Sequence, residues 1–188
     1  VLVLCDTNGG CLSHEVYDIT KLVTQKFNIS VGAHTHNDSE TGVANAMEAV
    51  RAGAIQVQGT INGFGERCGN CNLISVIANI IKKTDQTCLA DPEQLKNLKL
   101  VSQFVNEQAN LRDNQRAAYV GDSAFAHKAG MHVDGVRKAV SSFEHVSPDD
   151  VGNNRRILIS ELSGASNVME KLFEMGLQNI DRKSPEIR

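Results

Sequence analysis

The chain has 188 residues, 41% of them hydrophobic and 22% charged, a balance that fits a globular protein of one domain, or one domain with an appendage. Its formal charge of −3 and scattered basic residues offer no footprint for nucleic acid. No stretch approaches the roughly 20 apolar residues that cross a bilayer, so neither a nucleic-acid nor a membrane partner is expected.

Residues 1–7 read as a strand that opens the chain without an initiator Met, so further sequence is expected upstream. Ser13 offers an N-cap, and Val16, Ile19, Leu22, Val23 and Phe27 then recur at helical spacing. A second strand is predicted over 29–36. The helix predicted over 42–51 carries Val43, Ala46, Met47 and Val50 on one stripe, with Gly53 at its C-terminal cap. A third strand is predicted over 55–60, and after a Gly-rich turn residues 71–83 carry Leu73, Ile77, Ile80 and Ile81 as an apolar helix. This βαβαβα order implies parallel strands with right-handed crossovers. Three strands cannot close a (β/α)8 barrel and would leave two raw sheet edges, so the missing strands lie upstream or come from a partner.

The second half differs, beyond a soft boundary at 84–91. Asp91 and Pro92 signal a helix start, and Leu95, Leu98, Val101, Phe104 and Val105 supply its apolar face. Residues 112–135 read as loop with short helical pieces, 147–150 as a turn, 157–159 as a short apolar run, and 166–175 as a last helix closed by Gly176.

Chemistry concentrates in a few places. Side chains alternate along a strand, so His34 and His36 project from one face and can share one metal ion at the C-terminal end of the second strand, where α/β barrels place their sites. A hydrogen-bonded pair is the plainer alternative. The loop Asn62-Gly63-Phe64-Gly65-Glu66-Arg67-Cys68-Gly69-Asn70 permits close backbone approach, and an Asn oxygen from it can complete a mixed nitrogen and oxygen site for Zn, Mn or Mg. Thr7, at the end of the first strand, can donate to a substrate carboxylate or stabilise its own turn. Cys68 and Cys71 form a CxxC at a helix start, where thiol pKa values can fall, but no second CxxC exists for a structural zinc. The segment 124–135 gathers His127, Lys128, His132 and Asp134 among small residues and reads as a functional loop or a polar interface. An odd number of cysteines without disulfide spacing, and no basic leader, place the protein in the cytoplasm by expectation.

His-Thr-His-Asn-Asp at 34–38, Gly-Thr at 59–60, the loop at 62–70 and Phe-Ala-His-Lys-Ala-Gly-Met-His at 125–132 together resemble the isopropylmalate, homocitrate and citramalate synthase family. The likeness runs in order to about residue 175, and residues 4–10, 37–40 and 151–153 look most like the citramalate synthase branch. The resemblance implies an α/β fold: the last three β/α units of a (β/α)8 TIM barrel over 1–85 (strands six to eight), then a mainly helical linker subdomain over 86–188. It implies an acyltransferase that condenses acetyl-CoA with a 2-oxo acid in isoleucine or leucine biosynthesis. Pyruvate, giving citramalate, comes first, and 2-oxoisovalerate, giving 2-isopropylmalate, comes next.

The same resemblance implies His34 and His36 as ligands of a divalent metal ion and Asn70 as a weaker or indirect one. It implies Thr7 on the 2-oxo acid carboxylate, His132 as the catalytic histidine, Asp134 at the acetyl-CoA site, and a homodimer for the full-length protein. The family's Asp ligand on the first barrel strand and its catalytic Glu have no counterpart here, so this chain alone is expected to be inactive. Two other readings stay open: an aldol-cleaving lyase of the same superfamily, and a non-catalytic assembly module whose sheet edges pair with another copy.

Overall fold

The computed structural model describes residues 1–127, 135, 139–158 and 165–177. It forms two compact units, Val1–Asp113 and Asn114–Arg188. In the first, β1 (Leu2–Asp6), β2 (Val31–Thr35) and β3 (Gln56–Gln58) pair in parallel in the order β1-β2-β3. They alternate with α1 (Ser13–Lys26), α2 (Gly42–Arg51) and α3 (Leu73–Lys83). This is the run of parallel strands with intervening helices that the β/α alternation predicts.

Strand alternation divides the sheet into two rows with different surroundings. Ala33 packs with Ala49, Ala54 and Val16 under the helices, and Val57 packs against a cluster of Ala46, Cys71, Val76 and Ile80. Ala46 and Ala49 are fully buried, and these small side chains let α2 lie close to the strands. The opposite row is polar. Cys5, His34 and Gln58 are register partners across the three strands, and His34 Nδ1 lies 3.2 Å from Gln58 Oε1. A sheet face that carries His and Gln near its C-terminal edge is suited to a site, not to a dry core.

The helix ends show which local signals decide. α2 spans the predicted residues, and Gly53 follows its C-cap with φ +105, its N–H donating to Val50 O at 3.0 Å. α1 is capped differently from the prediction. Leu12 occupies the N-cap, its N–H donates to the Glu15 carboxylate at 2.8 Å, and the Ser13 hydroxyl donates to Asn45 Oδ1 at 2.9 Å. α3 begins two residues later than predicted because Asn72 is its cap, accepting from the Ile74 N–H at 3.0 Å. Cys71 N–H is already committed to Thr35 O at 2.8 Å, so this residue extends the sheet.

A 3-10 turn over Pro92–Asn97, capped by the Asp91 carboxylate on Glu93 N–H at 3.0 Å, leads into α4 (Leu98–Gln108). The predicted apolar face is only half used. Leu95 and Leu98 are buried, whereas Val101 and Phe104 are exposed. In the second unit, β4 (Ala126–His127) pairs in parallel with β5 (Arg156–Ile157), and α5 (Ala165–Glu174) is followed by Gly176 at φ +82. Among the described residues of this unit, Tyr119, Val120, Phe125, Val146, Val151 and Ile157 are its buried apolar side chains. Asn153, also buried, donates to Tyr119 O and Gly121 O at 3.0 and 2.9 Å. No helix among the described residues is long and apolar enough to cross a membrane.

Candidate metal centre

The C-terminal end of β2 brings the two predicted imidazoles together. His34 Nε2 and His36 Nε2 lie 3.2 Å apart, with ring centroids 5.1 Å apart. Two nitrogens at about 2.0–2.1 Å from a tetrahedral zinc stand about 3.3 Å from each other, so this spacing suits two ligands of one ion, as it also suits the hydrogen-bonded pair. The pair is not held there by the strand alone: His34 Nδ1 faces Gln58 Oε1, which sets the ring's outward nitrogen toward His36.

Asn70 is beside them. It forms an antiparallel bridge with His36, and its amide nitrogen donates to Phe64 O at 3.0 Å. That bond fixes the amide orientation, because a flipped amide would set oxygen against oxygen. The Asn70 Oδ1 left over is buried without a partner, and so is His36 Nδ1. A buried acceptor without a donor costs on the order of 1–3 kcal/mol, a cost that a cation coordinated by Asn70 Oδ1 would remove there, whereas an ion on His36 Nε2 would leave His36 Nδ1 unsatisfied. Two convergent imidazoles and an orphaned amide oxygen therefore fit a divalent ion. Among the described residues no group of three or more His, Cys, Asp or Glu gathers, so an ion bound here would need further ligands.

The loops around this point are tied by one guanidinium. Arg67 donates to both carboxylate oxygens of Asp38, at 2.8 and 3.1 Å, and to Thr7 O at 2.8 Å. It thereby joins the loops that follow β1, β2 and β3. The Arg67 hydrogen bonds hold the Asp38 carboxyl below the usual carboxylate range. Gly9, at φ +64, lets the first loop close on Asp38: a Cβ there would stand 2.5 Å from Asp38 Oδ2. Thr7 itself is exposed, with its carbonyl engaged by Arg67.

The cysteines behave otherwise than their spacing suggests. Cys71 is fully buried and burial pushes its thiol up to about 11, the reverse of an activated thiolate, while Cys68 is exposed. In the second unit His127, one of the polar residues of the 124–135 segment, is placed by a buried carboxylate. Its Nε2 lies 2.9 Å from Glu144 Oε1, and Arg155 donates to both Glu144 oxygens at 2.7 and 2.6 Å. The Arg155 guanidinium, and after it the His127 hydrogen bond, hold the Glu144 carboxyl below its ordinary value against the opposing effect of burial. Neither Glu144 nor Arg155 has a sequence signal, since both lie outside any motif. His132 and Asp134 lie outside the described residues.

Comparison with known proteins places the chain in a class. The HMGL-like family model matches residues 1–105, and the homocitrate synthase post-HMGL domain-like model matches 119–187. The chain belongs to the HMGL-like family. Within it, the branch suggested by the motifs is the one returned. The chain is 52% identical over 188 residues to an (R)-citramalate synthase of Sulfolobus acidocaldarius, covering 100% of this chain and 36% of that protein. It is 49% identical over 184 residues to an (R)-citramalate synthase of Geobacter sulfurreducens, covering 98% of this chain and 34% of that protein. A solved HMG-CoA lyase from Acinetobacter baumannii, in complex with coenzyme A and 3-methylmalate, aligns with TM-score 0.52 and 21% identity over 61% of this chain and 39% of its own, a likeness of fold alone. The chain spans about a third of the length of the relatives it matches.

Proposed function

We propose that this chain is the C-terminal part of the catalytic region of an acyltransferase that condenses acetyl-CoA with a 2-oxo acid, pyruvate first and 2-oxoisovalerate next. Residues 1–85 would supply barrel strands six to eight and residues 86–188 the linker subdomain. The full-length protein would work as a homodimer in the cytoplasm, within branched-chain amino-acid biosynthesis. The observation that carries the reading is the 3.2 Å approach of His34 Nε2 and His36 Nε2, on a strand end that Asn70, with its buried and unpartnered Oδ1, bridges through the backbone. Identity near 50% with two proteins named (R)-citramalate synthase supports the choice of reaction.

His34, His36 and Asn70 would hold the divalent ion, Zn, Mn or Mg. When bound, such an ion acts as a Lewis acid that makes a carbonyl more electrophilic. The chain's own residues then have separate tasks. Thr7 offers a hydroxyl donor to the 2-oxo acid carboxylate from a loop whose backbone Arg67 fixes. Asp38 keeps that guanidinium oriented and its charge neutralised, so Arg67 is a strap and not a free anion receptor. His132 would carry a proton during enolisation of the acetyl-CoA methyl group, a role suited to an imidazole that titrates near neutrality. Asp134 would lie at the acetyl-CoA. Attack of the enolate on the keto carbon forms the new C–C bond, and thioester hydrolysis releases CoA and makes the step irreversible.

A CoA-release assay on the full-length protein with pyruvate, 2-oxoisovalerate and 2-oxoglutarate tests this. Turnover with pyruvate above the other two is the expected result, and none is expected from the 188-residue chain alone. No turnover with any 2-oxo acid, or cleavage of a hydroxyacyl-CoA without condensation, would overturn it in favour of a lyase.

A further inference from the structure

The loop at 62–70 is secured on its far side by a polar network that the metal reading does not use. Asn62 is in the left-handed region, φ 60 and ψ 10, and its side chain leaves the loop for α4. Its amide nitrogen donates to Ser102 O and to Asn106 Oδ1, both at 2.8 Å, and its amide oxygen accepts from the Ser102 hydroxyl at 2.6 Å. Asn106 passes the chain on, donating to Asp113 Oδ1 at 2.7 Å. Ser102 and Asn106 are 4% and 8% exposed, so the network sits where apolar side chains would pack at no desolvation cost. Retaining amides there gives directionality: an apolar contact tolerates a slide, and three hydrogen bonds to one amide do not.

Asn62 is also mechanically close to the metal loop's end. The next residue's carbonyl, Gly63 O, accepts from Asn70 N–H at 3.1 Å. Gly69 lies so close that a Cβ on it would stand 1.9 Å from the same oxygen. A shift of residues 62–63 is therefore passed directly to the backbone of Asn70. We infer that Asn62 is a positioning residue: by clamping the loop onto α4 it fixes the backbone of Asn70, which bridges His36, and with it the Asn70 amide. The inference rests on the proposed metal site and deepens it.

Asn is common in the left-handed region for conformational reasons alone, and Asn62→Gly separates the two roles. Glycine keeps the backbone conformation and removes the clamp. On the full-length protein, the zinc dissociation constant is measured by competition with a chromophoric chelator, alongside kcat and KM for the 2-oxo acid. The clamp predicts a zinc dissociation constant raised about tenfold or more in Asn62→Gly and a lower kcat, the range seen when groups supporting a metal ligand are removed. Ser102→Ala, on a helix that supplies no proposed ligand, shifts affinity in the same direction by less, and decides the matter should the glycine variant not fold. Wild-type zinc affinity in the variants, with His34→Ala binding lost, overturns the clamp and leaves the metal site standing. Wild-type affinity in His34→Ala itself removes the metal site, and the clamp falls with it.

Discussion

At the residue scale the chain shows how the same side-chain type takes opposite roles in different surroundings. Asp38 and Glu144 are each held by an arginine, and only Asp38 is at the candidate site. The Asp38–Arg67 pair straps three loops, and its bidentate geometry is one that lysine cannot copy. Arg67→Lys should free the loop behind Thr7 and raise KM for the 2-oxo acid about tenfold or more, with a smaller effect on metal affinity; steady-state kinetics on the full-length protein check this. The Glu144 carboxyl is instead buried between Arg155 and His127. Its folded pKa is depressed, so its stabilising contribution is present above the ordinary carboxylate range near 4.3 and is lost as pH falls through the lower folded value. Urea midpoints of the chain should stay level above about pH 5 and decline below it. Glu144→Gln should cost on the order of 2 kcal/mol at neutral pH and flatten the acid limb; an unchanged limb would assign it to other carboxylates.

At the scale of elements, what is legible in the sequence is what depends on neighbours three or four residues away. The stripe of Val43, Ala46, Met47 and Val50 with Gly53 beyond it yields the bounds of α2, because spacing and cap agree. His34 and His36 are legible together because strand alternation is local. Ser13 is a fair cap by residue type, yet its hydroxyl serves Asn45 32 residues away, a partner no window reveals. The same holds for Asn62, whose bonds to α4 span 40 to 44 residues, and for Cys71, where burial overrides the helix-start effect that its CxxC spacing suggests. Asn45 makes the point quantitatively. It is fully buried, donates to Cys11 O at 2.8 Å and accepts from Ser13, joining α2 to the start of α1. Asn45→Leu should destabilise the chain by about 1–3 kcal/mol, since the Ser13 hydroxyl loses its acceptor and Cys11 O keeps only the Thr41 hydroxyl as donor; a loss below about 0.5 kcal/mol in urea unfolding would show that water replaces the amide.

At the scale of the whole molecule, three parallel strands present a polar row of Cys5, His34 and Gln58 on the face away from the helices, and the site loops gather at one end of that sheet. The HMGL-like match and the parallel β/α order agree on a segment of barrel wall. The ligands proposed for an ion are two imidazoles and an amide, a neutral set that does not balance a divalent charge. Binding by the isolated chain should therefore be weak and should tighten when carboxylate ligands from the rest of the full-length protein are present.

Everything proposed for function depends on His34 and His36 meeting at one cation. X-ray absorption at the zinc edge of the zinc-loaded full-length protein tests that directly. Two imidazole shells at about 2.0–2.1 Å are predicted, with both lost in the His34→Ala, His36→Ala double variant. An unchanged zinc environment in the double variant would contradict the account.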